Sequence, residues 1–235
     1  MTIEPSENKA FAADSSSFRL AGLAAMLAGL LYLLVQVIHP ADTLTAVTTA
    51  SWQWTHILSL MMDLLAMIGL TAIHARQARR DGVLNLVGYV LFLLFFALSL
   101  AFHFMEAFVY PILAADFPAL VQGLQGLVTN QASTVSLGAL PSAYALAGGA
   151  YLLGGVFLGV SIIRARVFPP CAGGLLAQGT LASLLSAAIP HPYDRILAAP
   201  VGLALMWLGW ALYTAERDGK GEQPRVMAQS SEGNI

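Results

Sequence analysis

Charge is what this chain has least of. Of its 235 residues, 10% are Asp, Glu, Lys or Arg, while 57% are hydrophobic. A soluble domain carries roughly 25% charged residues. The shortage excludes a soluble globular fold, which has too few polar side chains here to coat its exterior. Cysteine is nearly absent too. Cys171 stands alone, so there is no internal disulfide and no CxxC metal or redox pair. There is no basic stripe interleaved with aromatics, which excludes a nucleic-acid partner. There is no G-x-x-x-x-G-K-[ST] phosphate loop, no G-x-S-x-G elbow and no HExxH or ExxH pair. Lysine and arginine are also missing from the middle of every apolar stretch.

Six long apolar runs make up most of the chain. They cover Leu20 to Ile38, Trp52 to Ile73, Val83 to about Phe108, about Gly138 to Ile163, Cys171 to Ile189, and Ile196 to Tyr213. A helix needs about 20 residues to cross the hydrocarbon. The expected fold is therefore all-α: a polytopic integral membrane protein with six transmembrane helices over residues 18–214. Polar tails, 1–17 and 215–235, flank it and are expected to be disordered. The first run is longer than the 7–15-residue core of a secretory signal and is read as retained, with a cleaved signal as the alternative. Tyr110-Pro111 is expected to close the third run. Within the long loop 112–137, Asp116-Phe117-Pro118 looks like a helix start, with Asp as cap and Pro just inside. A small amphipathic helix on the membrane surface is expected there, with a lid as the alternative. Gly155 and Gly159 mark the fourth run as tightly packed. Pro200 is expected to kink the sixth. Trp207, Trp210 and Tyr213 read as an interfacial aromatic belt.

The charges that exist are sorted by side. On this reading Lys9, Arg19, Arg76, Arg79, Arg80, Arg164, Arg166, Arg217, Lys220 and Arg225 share one side, and Arg195 lies opposite. By the positive-inside rule both termini are cytoplasmic and the odd-numbered helices run outward.

Four of the five histidines fall on the outer side. His39-Pro40-Ala41-Asp42 ends the first helix, and His191-Pro192-Tyr193-Asp194 ends the fifth. The third delivers His103 to the same level. The echo suggests three repeated helix hairpins. The favoured explanation is local, since proline stops a helix and a histidine suits its C-terminal dipole.

Two helices carry more than single histidines. His103, Glu106 and Tyr110 stand at i, i+3 and i+7 and share a face. His56 and Asp63 are seven apart on the second helix, about 10.5 Å along its axis. Tyr32, Gln36 and His39 complete a polar pocket from the first helix. A carboxylate within the span costs about 2.5–3.5 kcal/mol on insertion scales, so Asp63 and Glu106 face the protein interior or water. With no Lys or Arg near them, their partners are histidines, a metal or a proton.

Three functions follow from that set. One is a divalent metal centre for redox or hydrolytic chemistry. His39, His56, His103, Glu106 and His191 are its candidate ligands, and Glu106 and Asp63 its catalytic carboxylates. Another is haem b held axially by His56 and His103. The third is a non-enzymatic role, as a small transporter with a proton or solute path or as an accessory subunit.

Ala28-Gly29-Leu30-Leu31-Tyr32-Leu33-Leu34 in the first helix, and Arg164-Ala165-Arg166-Val167-Phe168-Pro169-Pro170-Cys171-Ala172-Gly173 before the fifth, carry one resemblance. In outline the chain resembles the small six-helix bacterial inner-membrane proteins grouped as a domain of unknown function. The resemblance implies a bacterial cytoplasmic membrane and six helices. It carries over no functional residue.

Overall fold

The computed structural model describes residues 15–129, 131–190 and 192–217. Among them every regular element is helical. In order they are α1 (Ser15–Ile38), α2 (Leu44–Val47), α3 (Ala50–Gln77), α4 (Gly82–Phe104), a π-helical turn (Met105–Val109), α5 (Tyr110–Asp116), α6 (Pro118–Thr129), α7 (Leu140–Ala165), α8 (Pro170–Ala182) and α9 (Ala199–Arg217). Two 3-10 segments, Ser183–Ala188 and Tyr193–Ala198, lie between α8 and α9.

Five stretches are long and apolar enough to cross a membrane: Ser16–Ile38, Ala50–Gln77, Gly82–Asp116, Leu140–Ala165 and Tyr193–Ala215. The chain is an all-α, multi-pass membrane protein. The expected fifth run divides, with α-helix giving way to 3-10 geometry at Ser183. Thr180 and Ser183 return their hydroxyls to backbone carbonyls three or four residues back, a habit that competes with regular helix. The α-helical part alone is about 20 Å long, short of a hydrocarbon core of about 30 Å.

Local chemistry sets the boundaries. Thr49 caps α3 by accepting from the Trp52 N–H. Arg166 ends α7 in the left-handed region at φ 53°, and Pro169-Pro170 then starts α8 afresh. Pro200 sits in the first turn of α9, where the helical stretch that begins at Tyr193 changes from 3-10 to α geometry. Ser15–Ser17 belong to α1 and 215–217 to α9, so the expected tails are shorter at these ends. Residues 1–14 and 218–235, with Lys9, Lys220 and Arg225, lie outside the described residues.

Tyr110-Pro111 does not close the third run. The helix passes through it to Asp116 by widening into a π-turn, in which the Tyr110 N–H reaches the Met105 carbonyl. The expected cap at Asp116 is displaced as well. Asp116 ends α5, and the Phe117 carbonyl accepts the first bonds of α6 from Leu120 and Val121.

Six helices close into a ring: α1 packs on α3, α3 on α4, α4 on α7, α7 on α8, α8 on α9, and α9 back on α1. In lipid, such contacts depend on close backbone approach more than on apolar burial. Gly22 of α1 shows the closeness, since a Cβ built there would stand 2.8 Å from the Gly209 carbonyl oxygen of α9. Gly159 of α7 meets the Gly173 carbonyl of α8 in the same way.

Contacts fix the two ends of the ring. At one end Arg19 lies over the Tyr213 ring at 5.3 Å, and Arg164 Nε is 3.7 Å from Asp81. This arginine-rich half is filled by Ile73, Phe92, Leu158, Ile162, Leu208 and neighbours. At the other end, α6 packs its Val121 and Leu124 onto Val47, Trp52, Tyr110 and Ala114. It packs over α2, α5 and the start of α3.

Candidate functional site

The inward face of α3 puts His56, Ser59 and Asp63 inside the ring, none more than 1% exposed. Ser99 and His103 from α4 and Glu106 from the π-turn meet them. His103 Nδ1 is 2.7 Å from Asp63 Oδ2, with Ser99 Oγ at 3.4 Å. His56 Nε2 is 3.3 Å from Glu106 Oε2. Each carboxylate thus meets a histidine of the opposite helix, forming two pairs that cross-link α3 to α4. The second oxygen of Asp63, Oδ1, is buried without a hydrogen-bond partner.

Pro111 explains why the helix widens where Glu106 stands. In a π-turn the Glu106 carbonyl looks to the N–H five residues on, and that residue is Pro111, which has none. The Tyr110 N–H is already spent on Met105. Trp52 Nε1 fills the vacancy, donating to the Glu106 carbonyl at 2.8 Å. The Trp52 carbonyl in turn accepts from His56 Nδ1 at 2.7 Å. One tryptophan therefore holds both members of the His56–Glu106 pair.

His39, just past the end of α1, adds a third imidazole. Its ring centroid lies 5.0 Å from that of His56, and His56 lies 6.1 Å from His103. His39 Nδ1 donates to the Pro40 carbonyl at 2.8 Å. Burial lowers the His39 pKa below its ordinary value, outweighing the Pro40 acceptor, which raises it. Arg195 closes the rim, giving Nη2 to Asp42 Oδ2 at 2.7 Å and Nη1 to the His39 carbonyl at 3.1 Å.

Between these groups lies a cavity of about 370 Å³. His39, Asp42, Val128, Asp194 and Arg195 line its rim, and Tyr32, Ser59, Met62 and Phe95 its floor. Tyr32 lies on α1 and His39 follows its last residue, seven positions on, which makes the cup about 10 Å deep.

Of the residues singled out from the sequence, the fold brings together His39, His56, Asp63, His103 and Glu106. His191 lies outside the described residues. Tyr110 is buried in the cluster under α6, 2% exposed, with its hydroxyl beside Tyr144 and Glu106 but not itself lining the cavity. Trp52, Asp42, Arg195 and Tyr144 were not singled out. Trp52 had a detectable signal, being four residues before His56 and so on its face. Asp42 and Arg195 are 153 residues apart, and no local pattern links them.

Each of the three imidazoles spends Nδ1 on an oxygen acceptor, leaving Nε2 as the nitrogen with a free lone pair when the ring is neutral. Even so, among the described residues no three His, Cys, Asp or Glu side chains are grouped to hold a metal ion. An axial haem between His56 and His103 does not fit, because Glu106 stands against His56 Nε2 where the iron would be. No protein-family model, no curated protein and no solved structure matches this chain.

Proposed function

We propose that the chain crosses a bacterial cytoplasmic membrane six times, with both termini in the cytoplasm. We further propose that its outward-facing cup binds a small solute whose uptake is linked to a proton. This makes it a small transporter rather than an enzyme. Three features support the topology. α8 with the 3-10 segment after it extends about 30 Å, enough for a sixth crossing. Its place between α7 and α9 completes the ring. Arg19, Arg76, Arg79, Arg80, Arg164 and Arg166 cluster at the end opposite Arg195, as the positive-inside rule requires. The bacterial setting rests on the family resemblance.

One observation carries the function. His56 Nδ1 is committed to a carbonyl, so neutral His56 turns a lone pair toward Glu106 Oε2 at 3.3 Å. Two acceptors at that distance repel unless a proton lies between them. The pair is therefore a one-proton site at the wall of a solute-sized cavity, in a span where ionisable groups mark ion and solute paths. A proton-binding titration of the solubilised protein tests this. Glu106→Gln and His56→Gln should each remove the same single proton, because the titration belongs to the pair. Curves that overlay the wild type sink the reading.

A second reading is a divalent metal held by His39, His56, His103 and Glu106 for hydrolytic or redox chemistry. The three Nδ1–oxygen bonds favour it, since such oxygens orient metal-binding histidines. Elemental analysis separates the two. Near-stoichiometric zinc, iron or manganese, lost in His103→Ala, supports the metal. A folded, metal-free protein removes it.

A further inference from the structure

We infer that the arginine-rich end carries a headgroup site for an anionic phospholipid, built where the turn between α3 and α4 meets the end of α7. It lies at the end of the ring opposite the cup and stands whatever the cup binds.

Chain connectivity and one contact bring four arginines together. Arg79 and Arg80 directly precede Asp81 in the turn. Arg164 of α7 approaches Asp81 Oδ2 through Nε at 3.7 Å, and Arg166 follows two residues later. A neutral clamp beneath fixes the two segments. The Arg80 N–H donates to the Gln77 carbonyl at 2.9 Å. Gln77 Nε2 in turn donates to Asn85 Oδ1 of α4 and Ser161 Oγ of α7.

The charge does not cancel locally. Setting Arg164 against Asp81 removes both from the balance. Arg79, Arg80 and Arg166 remain exposed, and among the described residues no carboxylate pairs with any of them. The positive-inside rule accounts for arginines on this side of the membrane, but not for the conformation of Arg166. Its φ of 53° is the left-handed region that favours glycine at a helix end. A cation is held there at a cost to the backbone, as strained residues at binding sites are.

The surface that continues from the cluster is apolar. Val83, Leu86 and Val87 at the start of α4, and Val160 and Ile163 near the end of α7, are exposed. A guanidinium matches the oxygens of a phosphate diester, and exposed apolar side chains on membrane spans suit acyl chains. A lipid uses both halves of this surface, whereas a soluble anion uses the first alone. Basic clusters at the ends of membrane helices recognise anionic headgroups in this way.

The test titrates the full-length, detergent-solubilised protein with dioctanoyl phosphatidylglycerol. Dioctanoyl phosphatidylcholine, with the same chains and no net charge, and glycerol phosphate, a head without chains, are the comparisons. Binding is read by native mass spectrometry and as a rise in Tm. The expected result is saturable phosphatidylglycerol binding, tighter than that of either comparison and weakened in about 0.5 M sodium chloride. Arg166→Gly should weaken it about fivefold. That substitution favours the backbone, so misfolding does not explain a loss. Replacing Arg79 and Arg80 together by Gln should weaken it about 25-fold. Arg19→Gln, on the α1–α9 side of the ring beside Tyr213, should leave it unchanged. Equal binding of the two lipids, or full affinity in Arg166→Gly, overturns the inference. Glycerol phosphate binding as tightly as phosphatidylglycerol makes the ligand a soluble anion and overturns the lipid. A loss in Arg19→Gln equal to that in Arg166→Gly reduces the cluster to general surface charge and overturns the site.

Discussion

The two ends of the helix ring both bury polar side chains, but with different chemistry. At the arginine-rich end Gln77, Asn85 and Ser161 are fully buried. Gln77 Nε2 donates to Asn85 Oδ1 at 2.7 Å and to Ser161 Oγ at 3.2 Å, and Asn85 donates to the His74 carbonyl. That cluster ties α3, α4 and α7 together with neutral groups, amid close apolar packing. At the histidine end the same job of tying α3 to α4 falls to Asp63–His103 and Glu106–His56, beside a cavity. Neutral amides are enough to hold helices together in lipid. The ionisable pairs are more expensive in a membrane, so adhesion does not account for them. The contrast locates the chemistry.

The largest expected effect separates the two clusters directly. Asp63→Ala strips the acceptor from His103 and should destabilise by about 3–5 kcal/mol, as breaking a buried ion pair does. Gln77→Ala should cost about 1–3 kcal/mol through unpaired amide and hydroxyl groups. Unfolding titrations in mixed micelles would measure both. Proton titration sharpens the comparison, because Gln77→Ala should leave the proton count untouched. A changed count would mean that the neutral clamp and the acid–base site are coupled.

Trp52→Phe should have a smaller effect, about 1–3 kcal/mol, because it leaves the Glu106 carbonyl without a donor. Adding Pro111→Ala supplies an N–H five residues after Glu106 and should recover part of the loss. No recovery would mean that Trp52 acts by packing alone. The smallest effect concerns pH. Burial lowers the pKa of His39, so the folded state favours the neutral ring and the unfolded state binds the proton better. Its contribution is fully present above its ordinary pKa of about 6.5 and is lost as pH falls through the lowered value. His39→Gln should flatten the acid side of the stability profile, measured as Tm against pH.

Much of this was legible in the sequence. Hydropathy located the helices, and α1 ends at Ile38 as read. Spacing by seven placed His56 with Asp63, and the short step from His103 to Glu106 placed both near them. Depth is readable because helix rise is fixed, but rotation is not. That is why the crossed pairing, Asp63 with His103 and Glu106 with His56, emerges only from the packed ring. Pro111 misled for a related reason. Proline normally stops a helix, yet here a side chain from another helix supplies the donor that the widened turn lacks. The expected fifth run overstated its regularity, because hydropathy does not register Thr180 and Ser183 bonding back to the backbone.

Ring closure carries a consequence for how the protein is made. α1 seals against α9, which is synthesised long after it. At about 5–20 residues per second, α1 stays without that neighbour for roughly ten seconds or more after it emerges. Until then the glycine face of α1 that α9 covers stays open, although every residue lining the cup precedes α9 and has already been made.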